Sequence, residues 1–319
     1  MAPEAADSLG RDASTPLAFP RRGWWQVLRR VYRENSADNL SVVAAGVAFY
    51  FFLAVFPGIA AFVTVYGLVA DPAGVEAQIA PMRSVVPAEA YGILADQLKE
   101  AAQATGSDLT IGLLVSLGLA LWSATKGSRA LLTALDIAYE ERDRRGFLKQ
   151  NLMAIAFTLA AILVGLVALA LIAVLPAVAA LLGRAFPVDG VVLWLRWPLV
   201  AAVMILAFGA LYRYGPSRRA PRLQWVTPGA ILAVALWLAG SWLFSFYVSH
   251  FGSYNETFGS LGAVVVLLFW FYLSAYVVCL GAEFNSELEH QTSRDSTVGP
   301  DRPIGGRGAY VADHTAGVH

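Results

Sequence analysis

The sequence predicts an all-α, polytopic membrane protein with six transmembrane helices and both termini in the cytoplasm. Six long stretches of the 319-residue chain are nearly uncharged, and the Lys and Arg residues between them fall on alternate sides. The composition points the same way, because 57% hydrophobic and 14% charged residues leave too little polar surface for a soluble protein of this length.

Each uncharged stretch is long enough, or nearly long enough, to cross a bilayer. A helix rises about 1.5 Å per residue and the hydrocarbon layer is roughly 30 Å thick, so about 20 apolar residues suffice. Arg196 interrupts the fourth stretch near its outer end, and the second stretch needs Lys126 and Arg129 to reach the interface. Thr227 followed by Pro228 predicts the start of the fifth helix. The predicted spans are about 42–69, 109–129, 152–176, 190–212, 226–248 and 259–282.

The basic residues indicate the orientation of these spans. Of the 23 Lys and Arg residues, 19 lie on the side of the termini, three lie on the other side, and Arg196 lies within a span. Positive residues are retained on the cytoplasmic side during insertion, so we expect an N-in, C-in topology. Residues 1–20 lack the apolar core of a signal peptide, so the first span is expected to direct insertion.

The remaining segments differ in composition. Residues 1–22 and 291–319 are rich in Ala, Gly, Ser, Asp and Pro without periodicity, and we expect both to be disordered tails. Residues 23–38 follow an amphipathic pattern that predicts an interfacial helix on the anionic inner leaflet; a solvated leader with snorkelling arginines is the alternative. Residues 39–290 then form the six-helix domain, with an external helical loop at 70–108.

Polar residues gather where the spans end on the cytoplasmic side. Four of them, from Lys126 to Asp136, are three or four positions apart and so share one helix face. We expect a basic residue of this face, Lys126 or Arg129, to pair with Glu283 and with the acidic residue of the same face; ordinary interfacial charges are the alternative. The candidate cytoplasmic-mouth polar cluster is Asp38, Asn39, Lys126, Arg129, Asp136, Glu283 and Asn285. The candidate external-mouth residues are Tyr254, Asn255 and Glu256.

Several runs of the sequence together resemble one family. The last span carries "YNETFGSLGAVVVLLFWFYLSAYVVCLGAEFNSELE", which is similar to the last helix of the YihY/BrkB family of bacterial inner-membrane proteins. Further matches to that family's first helix, second helix and fifth-helix start are "SADNLSVVAAGVAFYFFLAVFPGI", "LWSATKGSRALLTALDIAYEERDRR" and "TPGA". The resemblance covers roughly residues 24–289 and implies a six-helix integral membrane protein, variously described as a transporter, a virulence factor or ribonuclease BN. Where the family usually has Asn, this chain has Asp136, which adds a titratable charge.

The residues give little support to a ribonuclease. Phosphodiester hydrolysis generally needs metal-binding His and Asp clusters or a His pair, and the four His residues have no metal-ligand spacing. We therefore expect a protein that is not an enzyme, with no catalytic residues, metal, cofactor or nucleic-acid partner. The spans also lack the buried carboxylates of an ion-coupled pump, and the chain has no Gly-rich phosphate loop.

Transport and scaffolding are the two remaining classes. Hydroxyls and aromatic residues dominate the polar content of the spans, so the leading expectation is transport or leaflet translocation of a lipid-like or amphipathic cargo, with membrane lipids as partners. A non-catalytic membrane scaffold or envelope assembly factor is the alternative, because hydroxyls that only join helices give the same pattern. Both the transport and the scaffold class are compatible with a homo-oligomer. A polar chamber that reaches towards the midplane would favour transport.

Overall fold

Eight α-helices make up most of the chain that the structure, a computed structural model, describes, which is residues 8–69, 106–174, 190–250 and 260–316. The helices are α1 (Arg21–Ala37), α2 (Leu40–Val69), α3 (Gly106–Ala138), α4 (Phe147–Leu169), α5 (Gly190–Tyr214), α6 (Leu223–His250), α7 (Ser260–Gln291) and α8 (Tyr310–Asp313). A π-helical turn, Ala170–Val174, continues α4, and a 3₁₀ turn, Pro16–Ala18, precedes α1. Within these ranges there is no β-strand, and the all-α prediction is confirmed.

Five of these helices contain segments that are long and apolar enough to cross a membrane, and α3, where the second span is predicted, is not among the five. Hydrocarbon favours helices here because each backbone hydrogen bond is made within the segment itself. Large apolar side chains on these helices are exposed, with Trp242 at 69% and Leu163 at 62%, so their outer surfaces suit lipid. The segments are Leu40–Gly58, Phe147–Ile172, Trp194–Tyr214, Leu223–Val248 and Val264–Gln291.

The start of α6 differs from its prediction. Thr227 is not an N-cap: α6 begins at Leu223, and the Thr227 hydroxyl donates to the Leu223 carbonyl at 2.7 Å. Pro228 therefore lies inside the helix. The extra turn exists because Trp225 and Val226 are almost fully buried by tertiary packing, which the local sequence pattern does not contain.

The described residues divide into two compact units, one comprising Met1–Phe49 with Ser128–His319 and the other Tyr50–Gly127. In the first unit, α5, α6 and α7 approach closely through glycines. A Cβ on Gly281 would clash with the Tyr212 hydroxyl and the Gly229 carbonyl. The Tyr212 hydroxyl donates to the Val278 carbonyl at 2.8 Å, which ties α5 to α7. In the second unit, the ring of Phe51 on α2 packs directly on the backbone of Gly127 at the end of its α3 segment.

Both chain ends carry structure where disorder is predicted, so the prediction for 1–22 and 291–319 is wrong for residues 8–22 and 291–316. The Ser293 amide donates to the Arg11 carbonyl at 2.7 Å, and the Thr292 hydroxyl donates to the Ala13 carbonyl at 2.7 Å. The Arg307 side chain is buried and donates to four backbone carbonyls, those of Ser293, Arg294, Arg302 and Ala312. Composition predicts disorder here because it does not show that backbone groups of the two chain ends are hydrogen-bonded to partners in the other end.

The amphipathic helix predicted at 23–38 is present as α1. Val27 and Val31 are buried, in a cluster with Leu288 of α7, while Trp25 and Tyr32 are 69% and 79% exposed on another face. The helix therefore packs on the protein by one stripe and presents a second, aromatic stripe outward. One end of the first unit is formed by α1, the last turns of α7 and the loops 139–146 and 215–222. We call it the polar end.

Candidate functional site

A fully buried ion pair lies at the centre of the polar end. Arg218 and Glu289 are joined at 2.5 Å between Nη2 and Oε1, and neither side chain is exposed. The Arg218 guanidinium also lies over the ring of Tyr139, 4.2 Å from its centroid, and the Ser296 hydroxyl donates to Glu289 at 2.6 Å. Burying charges is costly unless they are paired and hydrogen-bonded, so this pair depends on all of these contacts.

Asp136 pairs with Arg145 rather than with the basic residues of its own helix face. Its carboxylate accepts hydrogen bonds from the Ser217 amide at 2.6 Å and from Arg145 Nη2 at 3.1 Å. Arg145 also donates to Asp143 at 2.9 Å and to the Gly215 carbonyl at 2.8 Å. Burial raises the pKa of Asp136 to about 6, although the Ser217 amide and Arg145 act in the opposite direction.

The expected pairing of Arg129 with Asp136 or Glu283 is absent from the described residues. Arg129 donates instead to Gln150 Oε1 at 2.6 Å and to Asn151 Oδ1 at 3.1 Å, both on α4. Spacing along α3 places these groups on one face, but the partner depends on which neighbouring helix covers that face, and here α4 supplies neutral amides.

Asn285 on α7 holds the first turns of α6. Its Oδ1 accepts the Gly229 amide at 2.7 Å and its Nδ2 donates to the Val226 carbonyl at 3.1 Å. Pro228, between those two residues, lacks an amide hydrogen and disturbs the helical ladder, which leaves backbone groups for a side chain to satisfy. Glu283, two residues earlier on α7, is also buried, and its Oε2 has no hydrogen-bond partner in the part of the chain that the structure describes.

Asp38 and Asn39 form the junction between α1 and α2. Asn39 adopts a φ of 52°, in the left-handed region that Asn tolerates better than most residues, and its side-chain Nδ2 donates to the Ala37 carbonyl at 3.2 Å. Burial raises the pKa of Asp38 to about 6, and the carboxylates of Glu140, Glu34 and Glu287 add to that rise. Acidic groups therefore concentrate on this side of the polar end.

Lys126 belongs to the second unit, where it lines a groove of about 240 Å³. Its ammonium lies 5.4 Å from the centroid of the Trp122 ring, and the other lining residues are Tyr50, Leu53 and Ser123. Trp122 is 62% exposed and Leu53 is 41% exposed, so the groove opens outward between apolar walls. This arrangement can hold an anionic group beside an apolar chain.

A second cavity, of about 580 Å³, lies in the first unit between the loop before α4 and the end of α5. We call it the basic cavity, because six of its lining residues are cationic: Arg144, Arg145, Lys149, Arg213, Arg218 and Arg219. Gly146, the N-cap of α4, also lines it. No lining residue is a carboxylate.

The residues of the predicted mouth cluster thus belong to several separate groups of contacting residues rather than to one cluster. The residues that complete these groups were not predicted from the sequence. Arg145 lies in the mixed run "EERDRR", which has the composition of a solvated loop, and Glu289 and Arg307 lie at or beyond the end of the last span. The alternation of signs around Glu141 and Arg142 is the only sequence signal of a paired network. The external-mouth candidates Tyr254, Asn255 and Glu256 lie outside the described residues, as does most of the external loop at 70–108.

Comparison with known proteins gives a consistent family assignment. The family model described as "Virulence factor BrkB" matches residues 31–304. A ribonuclease-like protein of Bacillus subtilis, YfkH, is 32% identical over 270 residues, which cover 82% of this chain and 94% of the relative. UPF0761 membrane proteins match shorter regions: one of Xanthomonas campestris is 40% identical over 27% of this chain and 20% of its own, and one of Pseudoalteromonas atlantica is 37% identical over 31% and 33%. No solved structure matches.

Proposed function

The chain belongs to the BrkB family of membrane proteins, and from this premise we propose that it is a non-enzymatic inner-membrane protein that moves a lipid-like, anionic amphipath between leaflets. The family assignment agrees with the resemblance in its motifs. It supplies the membrane setting but no activity, since the relatives' names give only "membrane protein" or "ribonuclease-like".

The groove around Lys126 carries this proposal. Tyr50, on one of its walls, lies within the apolar segment Leu40–Gly58, so the groove adjoins a helix suited to the hydrocarbon layer. In the described residues no carboxylate pairs with Lys126. A cation beside hydrocarbon is costly without a counter-charge, and an anionic headgroup with its chain along Leu53 and Trp122 would supply one.

The proposed topology has six spans, with α3 as the second, and both termini in the cytoplasm. The distribution of basic residues supports it, because 19 of the 23 Lys and Arg residues lie on the side of the termini and positive residues stay inside. The exposed aromatic stripe of α1 supports it as well, since Trp25 and Tyr32 beside arginines suit the interface of an anionic leaflet.

A membrane scaffold is the second candidate. The observation in its favour is the close packing of α5, α6 and α7, where Asn285, Tyr212 and the glycines at 229 and 281 bring the three helices into direct contact. A scaffold needs such rigidity and needs no movement of cargo.

A leaflet-exchange assay tests the proposal. The protein would be reconstituted into liposomes that contain a fluorescent anionic phospholipid in both leaflets, and a membrane-impermeant quencher would report how fast inner-leaflet lipid reaches the outside. We expect faster exchange than in protein-free liposomes and a several-fold slower rate for Lys126→Gln.

Arg196→Gln is the matched control, because Arg196 likewise lies over an aromatic ring, 5.4 Å from the Trp197 centroid, but outside the groove. This variant should exchange lipid like the wild type. Exchange no faster than in protein-free liposomes would overturn the transport proposal and favour the scaffold.

A further inference from the structure

The basic cavity concentrates positive charge that the protein does not neutralise. Of its six cations, Arg145 pairs with Asp136 and Asp143, and Arg218 pairs with Glu289. The other four have no ion-pair partner within the described ranges; they are Arg144, Lys149, Arg213 and Arg219. Like charges so close together repel, so an anion in the cavity would be strongly stabilised.

Three residues that line the cavity also carry buried donors without acceptors. Arg213 Nε, Arg218 Nε and Arg219 Nη1 are buried atoms with no hydrogen-bond partner in the described structure. The side chain of Arg218 is completely buried and that of Arg145 is only 9% exposed, so the cavity wall is built into the fold rather than formed by loose surface groups. Buried donors are normally satisfied, and these three have no protein acceptor within the described ranges, which at Arg213 and Arg219 leaves the positive charge of the side chain uncompensated locally.

The start of α4 adds to the attraction for an anion. Gly146 provides no side-chain cap, and the first turn of α4 contains no acidic residue. The free amides and the dipole of a helix N-terminus both favour a negative group.

We propose that the basic cavity binds the phosphate group of a membrane lipid headgroup. Guanidinium groups match phosphate oxygens in fork geometry, and a cavity of about 580 Å³ has room for a headgroup as well as its phosphate. Met153, which lines the cavity, lies in the apolar segment Phe147–Ile172, and at the start of this segment Phe147 is 73% and Leu148 is 81% exposed. A lipid can therefore place its phosphate in the cavity while its chains follow α4 into the bilayer.

This site goes beyond the proposed function, because it lies in a different unit from the Lys126 groove and binding there requires no exchange between leaflets. A scaffold could hold a lipid in this way too. Loss of exchange with retained binding would therefore refute transport alone, and loss of binding would refute this inference alone.

Direct binding to the full-length protein tests it. Native mass spectrometry and thermal shift would be measured with four probes: short-chain phosphatidic acid, short-chain phosphatidylcholine, glycerol 3-phosphate and inorganic phosphate. We expect phosphatidic acid to bind with at least tenfold higher affinity than phosphatidylcholine. The double variant Arg213→Gln/Arg219→Gln should bind phosphatidic acid at least tenfold more weakly than wild type.

The matched control is Arg142→Gln/Arg33→Gln, which removes the same charge from residues that do not line the cavity. It should bind like the wild type. Binding of the two soluble phosphates as tight as that of phosphatidic acid would keep the phosphate site but overturn the lipid as its source. Equal binding of phosphatidic acid to wild type, test and control variants would overturn the site itself.

A second measurement covers the case in which the test variant fails to fold. Phosphatidic acid should protect Lys149 of the wild-type protein from an amine-acylating reagent, and phosphatidylcholine should not. Equal acylation of Lys149 with and without phosphatidic acid would overturn the inference.

Discussion

Arg218, in the loop after α5, and Glu289, near the end of α7, form an ion pair in which both side chains are fully buried. Glu289→Gln leaves the Arg218 charge buried without its counter-charge, and we expect a loss of about 3–5 kcal/mol in the free energy of unfolding. Thermal or denaturant unfolding in detergent would measure it. Glu34→Gln removes a partner from the solvent-exposed pair with Arg33 and should cost no more than about 1 kcal/mol; equal losses for the two variants would contradict the buried pair.

Gly281→Ala tests the close approach of α5, α6 and α7. The added methyl would clash with the Tyr212 hydroxyl and the Gly229 carbonyl, and overpacking of this kind costs about 1–3 kcal/mol. Gly209→Ala is the control, because apart from the adjacent backbone of its own helix no atom of the described residues lies within 4 Å of a Cβ at that position, and the change should be neutral or slightly stabilising in a helix. A melting temperature for Gly281→Ala at or above that of Gly209→Ala would show that the helices lie further apart.

Asp136 should make stability depend on pH near 6. Because burial raises its pKa from the ordinary 3.8 to about 6, the folded state binds the proton more tightly than the unfolded state. The contribution of this group to the free energy of unfolding therefore rises as pH falls through about 6 towards 3.8. Asp136→Asn should remove that rise, measured as melting temperature against pH.

Asp143 offers the opposite sign for comparison. Partial burial acts to raise its pKa, but hydrogen bonds from Arg145 prevail and the pKa is lowered. Its contribution to stability is present above the ordinary pKa and is lost as pH falls through the lowered value. For the Asp136 prediction, an unchanged pH profile in Asp136→Asn would show that the Asp136 carboxyl has an ordinary pKa in the folded protein.

Arg307→Gln should release the C-terminal segment. The glutamine cannot reach the four carbonyls that the guanidinium satisfies, so residues 292–316 should separate from the N-terminal segment. Limited trypsin digestion would then cut at Arg294 faster than in the wild type. Arg302→Gln leaves those four acceptors satisfied and serves as the control; equally slow cleavage in both variants would mean that Arg307 does not hold the segment.

Five of the six predicted spans coincide with long apolar helices, because such helices depend on length and composition, which lipid selects directly. The second predicted span, on α3, stays a prediction. The side-chain partners of the polar residues could not be predicted from the sequence. The spacing from Lys126 to Asp136 defines a helix face, but Gln150 and Asn151 of α4 face Arg129, and Arg145 reaches Asp136 from a loop. The extension of α6 to Leu223 and the order of both chain ends likewise depend on packing between residues far apart in sequence, such as Arg11 with Ser293.

The contacts between the two chain ends have a consequence for biosynthesis. Arg11 donates to the Ala316 carbonyl at 3.0 Å, and its own carbonyl accepts the Ser293 amide, so residues near 11 find their partners about 300 positions later in the chain. During translation the helices can enter the bilayer one after another, but this junction has to wait until residues 293–316 have been synthesised. Until then the Arg11 carbonyl has to be satisfied by water rather than by its partner in the folded protein.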